Sequence, residues 1–178
     1  MKKTIICITL IGLLYFATNK VYAQVDSLTR RKAVFVELLG NGVLFSANFD
    51  MRFVKGKDGS IGFRAGLGDF FLNAHSGNVD VIVNGITFPM EVNYLLGKSR
   101  HFLETGIGIT PYYIKTKLTF SDYRFNGKGL NLMSFLNIGY RYQPLNKGLM
   151  FRVNWNPLIT YDGLFFKWFG LSLGYVFK

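Results

Sequence analysis

Apolar and polar residues alternate with a period of two along much of this chain. From Val43 to Phe53 one row reads Val43, Phe45, Ala47, Phe49, Met51, Phe53, and the other Leu44, Ser46, Asn48, Asp50, Arg52. Between Ile86 and Leu96 the rows are Ile86, Phe88, Met90, Val92, Tyr94, Leu96 against Thr87, Pro89, Glu91, Asn93, Leu95. From Leu132 to Tyr142 they are Leu132, Ser134, Leu136, Ile138, Tyr140, Tyr142 against Met133, Phe135, Asn137, Gly139, Arg141. A helix would scatter such rows around its circumference, whereas a strand sorts them onto two faces. Eight segments of this kind can be read, at 32–40, 43–53, 61–68, 83–96, 101–114, 130–142, 149–157 and 168–177. Many reach the roughly 9–11 residues that a tilted strand needs to cross a bilayer.

The connections alternate too. Those at 54–60, 97–100 and 143–148 are compact and rich in Gly, Lys, Asn or Pro, while those at 69–82, 115–129 and 158–167 are longer. Short turns at one end and long loops at the other predict an antiparallel up-and-down barrel with two unlike rims. Gly40-Asn41-Gly42 departs from this by resembling a tight hairpin turn.

The first residues predict export. Lys2-Lys3, the apolar run from Ile5 to Phe16 and the small-x-small site Val21-Tyr22-Ala23 have the layout of a signal peptide, with cleavage after Ala23. The expected organisation is a cleaved signal at 1–23, a short periplasmic segment at 24–31 and a barrel at 32–178. Cleavage removes Cys7, the one cysteine, and with it any disulfide, thiolate or Cys-based zinc chemistry. It also removes Lys2, Lys3 and Lys20, so the formal charge falls from +11 to +8. Composition agrees with a packed β protein: there are 18 Phe and 10 Tyr, 20 Gly, and few charges at 17%, whereas disordered chains are poor in aromatics and rich in charge.

Alternation alone leaves open which row is wet. The apolar row is too bulky for an eight-strand interior, and the polar row carries Gly and Arg rather than the Lys and Glu of a solvated surface. Both features favour an apolar outside and a polar lumen over a soluble barrel. The last segment, Leu171-Ser172-Leu173-Gly174-Tyr175-Val176-Phe177, resembles the terminal assembly signal of outer-membrane barrels, with Lys178 added beyond the usual closing aromatic. Gly66-x-Gly68, Gly106-x-Gly108 and Gly139-Tyr140-Arg141-Tyr142 resemble strand elements of small outer-membrane proteins. Over 32–178 the chain is similar to the small eight-stranded OmpA/OmpX-like barrels. That resemblance implies an all-β transmembrane barrel in the outer membrane of a Gram-negative bacterium. It also implies contact with outer-membrane lipid and delivery by the barrel-assembly machinery; no cofactor is expected.

The polar row holds Glu37, Asp50, Arg52, Arg64, Glu91, Glu104, Arg141 and Arg152, four acids and four arginines with no lysine. Buried charges must pair, and the planar fork of Arg suits carboxylates. With a periplasmic N-terminus all but Glu37 fall in the periplasmic half, and Glu104 with Arg141 is the expected pair. A salt-bridged plug is the expected role, a gate or proton path the other. The inward glycines, among them Gly62 and Gly106, are expected to make room for these long side chains.

Catalytic candidates are thin. His75 is expected in an outer loop and His101 at a periplasmic turn, too far apart to share a metal. His75-Ser76 with Asp69 or Asp80 could supply a base, a nucleophile and an orienting acid, but neighbours on a strand point to opposite faces. Lys115, Lys117, Arg124 and Lys128, interleaved with Tyr123 and other aromatics, mark a possible binding loop for lipid headgroups or a surface ligand. Nucleic acid is not an expected partner of an exported barrel. The expected function is non-enzymatic, a structural or surface-contact role through the outer loops. A lipid-modifying rim enzyme and a narrow diffusion channel are the alternatives.

Overall fold

The computed structural model describes residues 31–55, 59–120, 123–144, 146–161 and 163–177. The expected signal, and all of the expected 24–31 segment except Arg31, lie outside the described residues. The strands are β1 (Lys32–Leu39), β2 (Phe45–Lys55), β3 (Ser60–Ser76), β4 (Val79–Thr87), β5 (Met90–Lys98) and β6 (His101–Phe120). They continue with β7 (Tyr123–Tyr142), β8 (Gly148–Trp155), β9 (Leu158–Thr160), β10 (Gly163–Phe165) and β11 (Phe169–Phe177). Three pairs are single staves with a break: β4/β5 at Phe88-Pro89, β8/β9 at Asn156-Pro157, and β10/β11 at 166–168. Proline has no N–H to give a ladder. Its carbonyl still serves: Gly66 donates to Pro89 O at 2.9 Å and Leu136 to Pro157 O at 3.2 Å, so pairing runs on past both breaks.

Eight antiparallel staves therefore close into a ring, β1–β2–β3–β4/β5–β6–β7–β8/β9–β10/β11. Closure is made by β1 against β11, from Lys32 opposite Phe177 to Leu39 opposite Gly170. The alternation sorts onto two faces as the sequence predicts. Leu67, Ile107, Leu132 and Leu171 stand outside at 56%, 63%, 56% and 51% exposure, while Arg64, Glu104 and Arg152 are at 0% inside. A soluble barrel would have these faces exchanged.

The long loops expected at 69–82 and 115–129 are mostly strand. β3 and β4 pair out to Ser76 opposite Val79, across a turn of Gly77 and Asn78. β6 and β7 pair from His101 opposite Tyr142 to Phe120 opposite Tyr123. The staves β3, β4, β6 and β7 thus rise as a four-stranded wall above the others. Period-two alternation persists to the tips, but the outer row turns polar there, so the density of apolar residues drops and the segments read as loops.

Candidate functional site: the lumen network and the outer mouth

Period-two alternation sends one side chain in two into the lumen, and the barrel is narrow enough for those from opposite walls to meet. All eight charges named from the sequence lie there, each at most 2% exposed. Arg152 grips Glu104 in bidentate fashion, Nε to Oε2 at 2.8 Å and Nη2 to Oε1 at 2.9 Å. Arg152 also lies 3.6 Å from Glu37. Arg64 spans Glu37 at 2.9 Å and Glu91 at 3.3 Å. Asp50 accepts from Arg52 at 2.6 Å and from Arg141 at 3.0 Å. Charge-assisted pairs of this geometry are the strong kind of hydrogen bond.

One expectation is met with closer partners added, and another changes. Glu104 and Arg141 do lie near each other, at 3.7 Å, but Glu104 is held by Arg152 and Arg141 by Asp50. Barrel stagger carries β8 to the height of Glu104, and an arginine reaches past its nearest neighbour. Glu37, expected apart from the other seven, joins the network through Arg64 and Arg152.

Several partners of the charges carry no charge themselves. Asn93 bonds both Arg52 and Asp50, and Asn137 donates to Glu91 at 2.6 Å. Ser172 bridges Arg152 and Glu37, at 3.4 and 3.3 Å. The Phe35 ring is approached by two guanidinium groups, Arg64 at 5.3 Å and Arg152 at 4.7 Å from its centroid. Only membership of the inward row marks these residues in the sequence. Gly62 and Gly106 fill the role expected of them: a Cβ would collide with Arg52 at Gly62 and with Glu91 at Gly106. Below the charges, Ala33, Phe35, Met150 and Val176 form one small apolar cluster, and Leu95 with Phe102 another.

Gly40-Asn41-Gly42 does turn β1 back onto β2, with Leu39 N–H donating to Leu44 O at 2.7 Å, but it does not stand out on the rim. It is a 3-10 turn folded into the lumen, all three residues buried. Asn41 N–H donates to Glu37 Oε2 at 3.2 Å, and its amide to Glu91 Oε2 at 2.9 Å. Thr110 donates to Asn41 O and Thr87 to Gly42 O, both at 3.0 Å, while the Trp168 indole donates to Gly40 O at 2.7 Å. The path requires φ of 58° at Leu39 and 78° at Val43, costing about 1–3 kcal/mol each for non-glycine residues. Five hydrogen bonds, two to carboxylates, oppose that strain at about 0.5–3 kcal/mol each.

The predicted binding loop is strand, and its residues part company. Lys115, Lys117, Arg124 and Lys128 are on the outer face of the wall, while Tyr123 is on the inner face with Phe120 and Phe125, because interleaving at period two is segregation in space. His75 likewise lies on β3 rather than in a loop. It pairs with Asp80 across β3–β4, both exposed on the outer face, and Ser76 occupies the opposite row. His101 opens β6 and lies 2.6 Å from the Tyr140 hydroxyl.

An eight-stranded antiparallel ring, apolar outside and ion-paired within, has the fold of the small outer-membrane β-barrels. No family model and no curated protein matches the chain. Among solved structures it is similar to the N-terminal β-barrel domain of Pseudomonas aeruginosa OprF, with 14% identity, a TM-score of 0.48, and coverage of 83% of this chain and 96% of that one. It is also similar to Ail, the attachment invasion locus protein of Yersinia pestis, with 12% identity, a TM-score of 0.48, and coverage of 84% and 99%. The structure of Ail in complex with the heparin analogue sucrose octasulfate matches at 10% identity and a TM-score of 0.48, covering 83% and 97%.

Proposed function

We propose that this chain spans the outer membrane of a Gram-negative bacterium as a sealed barrel, acting without catalysis as a structural or surface-contact protein through its outer hairpins. The observation that carries the reading is the lumen. Four arginines and four carboxylates, all buried, tie facing walls together, and the inward turn lies over them. An apolar outside of this extent is costly in water and favourable in lipid. On the outer face of the wall, Lys115, Lys117, Arg124 and Lys128 follow the last apolar residues, at the height where lipid phosphates or an anionic surface ligand would meet them. The alternating last strand, β11, suits recognition by the assembly machinery. Against a rim enzyme, His75 and Asp80 face away from Ser76, so these three do not assemble as base, nucleophile and orienting acid.

The test is electrical. Purified barrel in a planar bilayer is expected to show no steady conductance. A well-resolved open channel in the wild type would overturn the seal and favour a diffusion pore.

A further inference from the structure

Above the apolar belt the polarity of the wall inverts. The outer face becomes polar and basic, and the inner face becomes apolar through Leu72, Val81, Val83, Ile114 and Leu118. At its foot is a cavity of about 270 Å³ lined by Val43, Phe70, Tyr112, Met133, Leu158 and Trp168, with Phe165 at the edge. The lining is almost wholly apolar, and the volume is close to the lower end of the roughly 300–1,000 Å³ found for ligand pockets. The indole of Trp168 is fixed by its bond to Gly40 O.

Beside the cavity the strand pairing of the ring is interrupted. Among the described residues, β3 beyond Asp69 pairs only with β4, and β10 pairs only with β9, so both present an unpaired edge. Between those edges, among the described residues, the ring is completed by the low β1–β2 turn. Leu39, Leu44, Phe71, Phe165 and Phe166 stand exposed around this gap, continuous with the apolar belt. An exposed Asp69 on one side and an exposed Lys167 on the other set one charge of each sign beside it.

We infer that the mouth cavity takes an acyl chain of an outer-leaflet phospholipid, entering sideways between β3 and β10 while its zwitterionic headgroup stays at the rim. This rests on the barrel spanning a membrane. A chain in the cavity exchanges one apolar surrounding for another, so the gain comes from contact with fixed walls and from covering the apolar foot of the wall. A free fatty acid, purely anionic, lacks the second headgroup charge.

The two tryptophans of the chain, Trp155 and Trp168, make the test direct. Trp155→Phe leaves Trp168, in the cavity wall, as sole reporter. The full barrel is refolded in unbrominated micelles and titrated with phosphatidylethanolamine brominated near the chain ends, and in parallel with a brominated fatty acid. Quenching is expected to saturate with the phospholipid, and to need about tenfold more of it once Leu158→Phe narrows the cavity, as for two methylenes left uncovered. Thr160, which also lines the cavity, serves as Thr160→Phe if Leu158→Phe does not fold. Quenching that rises in proportion to brominated lipid and ignores the filling substitution would overturn the site, as would no quenching. Stronger quenching by the fatty acid would overturn the phospholipid assignment. Flotation with vesicles separates the two readings: a barrel that floats without saturable quenching sinks only the site, and one that fails to float sinks the membrane reading beneath it.

Discussion

Gly106 shows how little slack a single lumen position has. A side chain there would fall on Glu91, and Glu91 cannot step aside because Asn41, Asn137 and Arg64 hold it at 2.9, 2.6 and 3.3 Å. Gly106→Val is expected to cost about 1–3 kcal/mol, the range for overpacking a filled interior, measured by denaturant unfolding in micelles. Gly127, on the hairpin above the belt, is the matched control: an added Cβ meets only the Phe125 ring edge. Gly127→Val is expected to change stability by less than about 0.5 kcal/mol, as for ordinary surface positions. Equal losses at the two sites would contradict a close-packed lumen.

Among the elements, the staves were the most legible part of the sequence, because period-two alternation assigns a face to every residue. It put Glu37, Asp50, Arg64 and Arg152 inside without knowledge of any partner. The closest partners were not legible, since they depend on stagger around the ring and on the reach of arginine, which together bring Arg152 closer to Glu104 than the expected Arg141. The inward turn was hidden for another reason. It depends on positive φ at Leu39 and Val43, residue types that do not announce it, and on acceptors supplied by Glu37 and Glu91. The cavity at the mouth was equally hidden, because its walls come from five separate strands and two connections. The two rims were legible from connection lengths, and that contrast is testable. A cysteine replacing Asn78, in the β3–β4 turn, is expected to react with an impermeant maleimide on intact cells. One replacing Asn146, between β7 and β8, should react only after the outer membrane is permeabilised. The reverse pattern would invert the orientation.

For the whole molecule, the lumen network acts as one body. Glu104→Met and Arg152→Met are each expected to cost about 3–5 kcal/mol, because the surviving charge is stranded in the interior. The double substitution should cost clearly less than the two together. Strict additivity in that cycle, read by denaturant unfolding, would show that the pair is not coupled. The ownership of the charges has a further consequence, for how the ring is made. Seven staves supply them and the eighth supplies the Ser172 hydroxyl. Of these lumen charges, the first four staves, β1 to β5, supply three acids against two arginines, and β6 to β11 supply two arginines against one acid. Neither half is neutral by itself, and each has the opposite excess to the other. Arg141 finds Asp50, and Arg152 finds Glu37, only when the two halves face each other. Closing the ring and balancing its charge are therefore a single event. On the proposed reading, in which the barrel spans a membrane, a half-wrapped chain would bring an uncompensated ion into hydrocarbon, so insertion is expected to wait until the first and last staves meet.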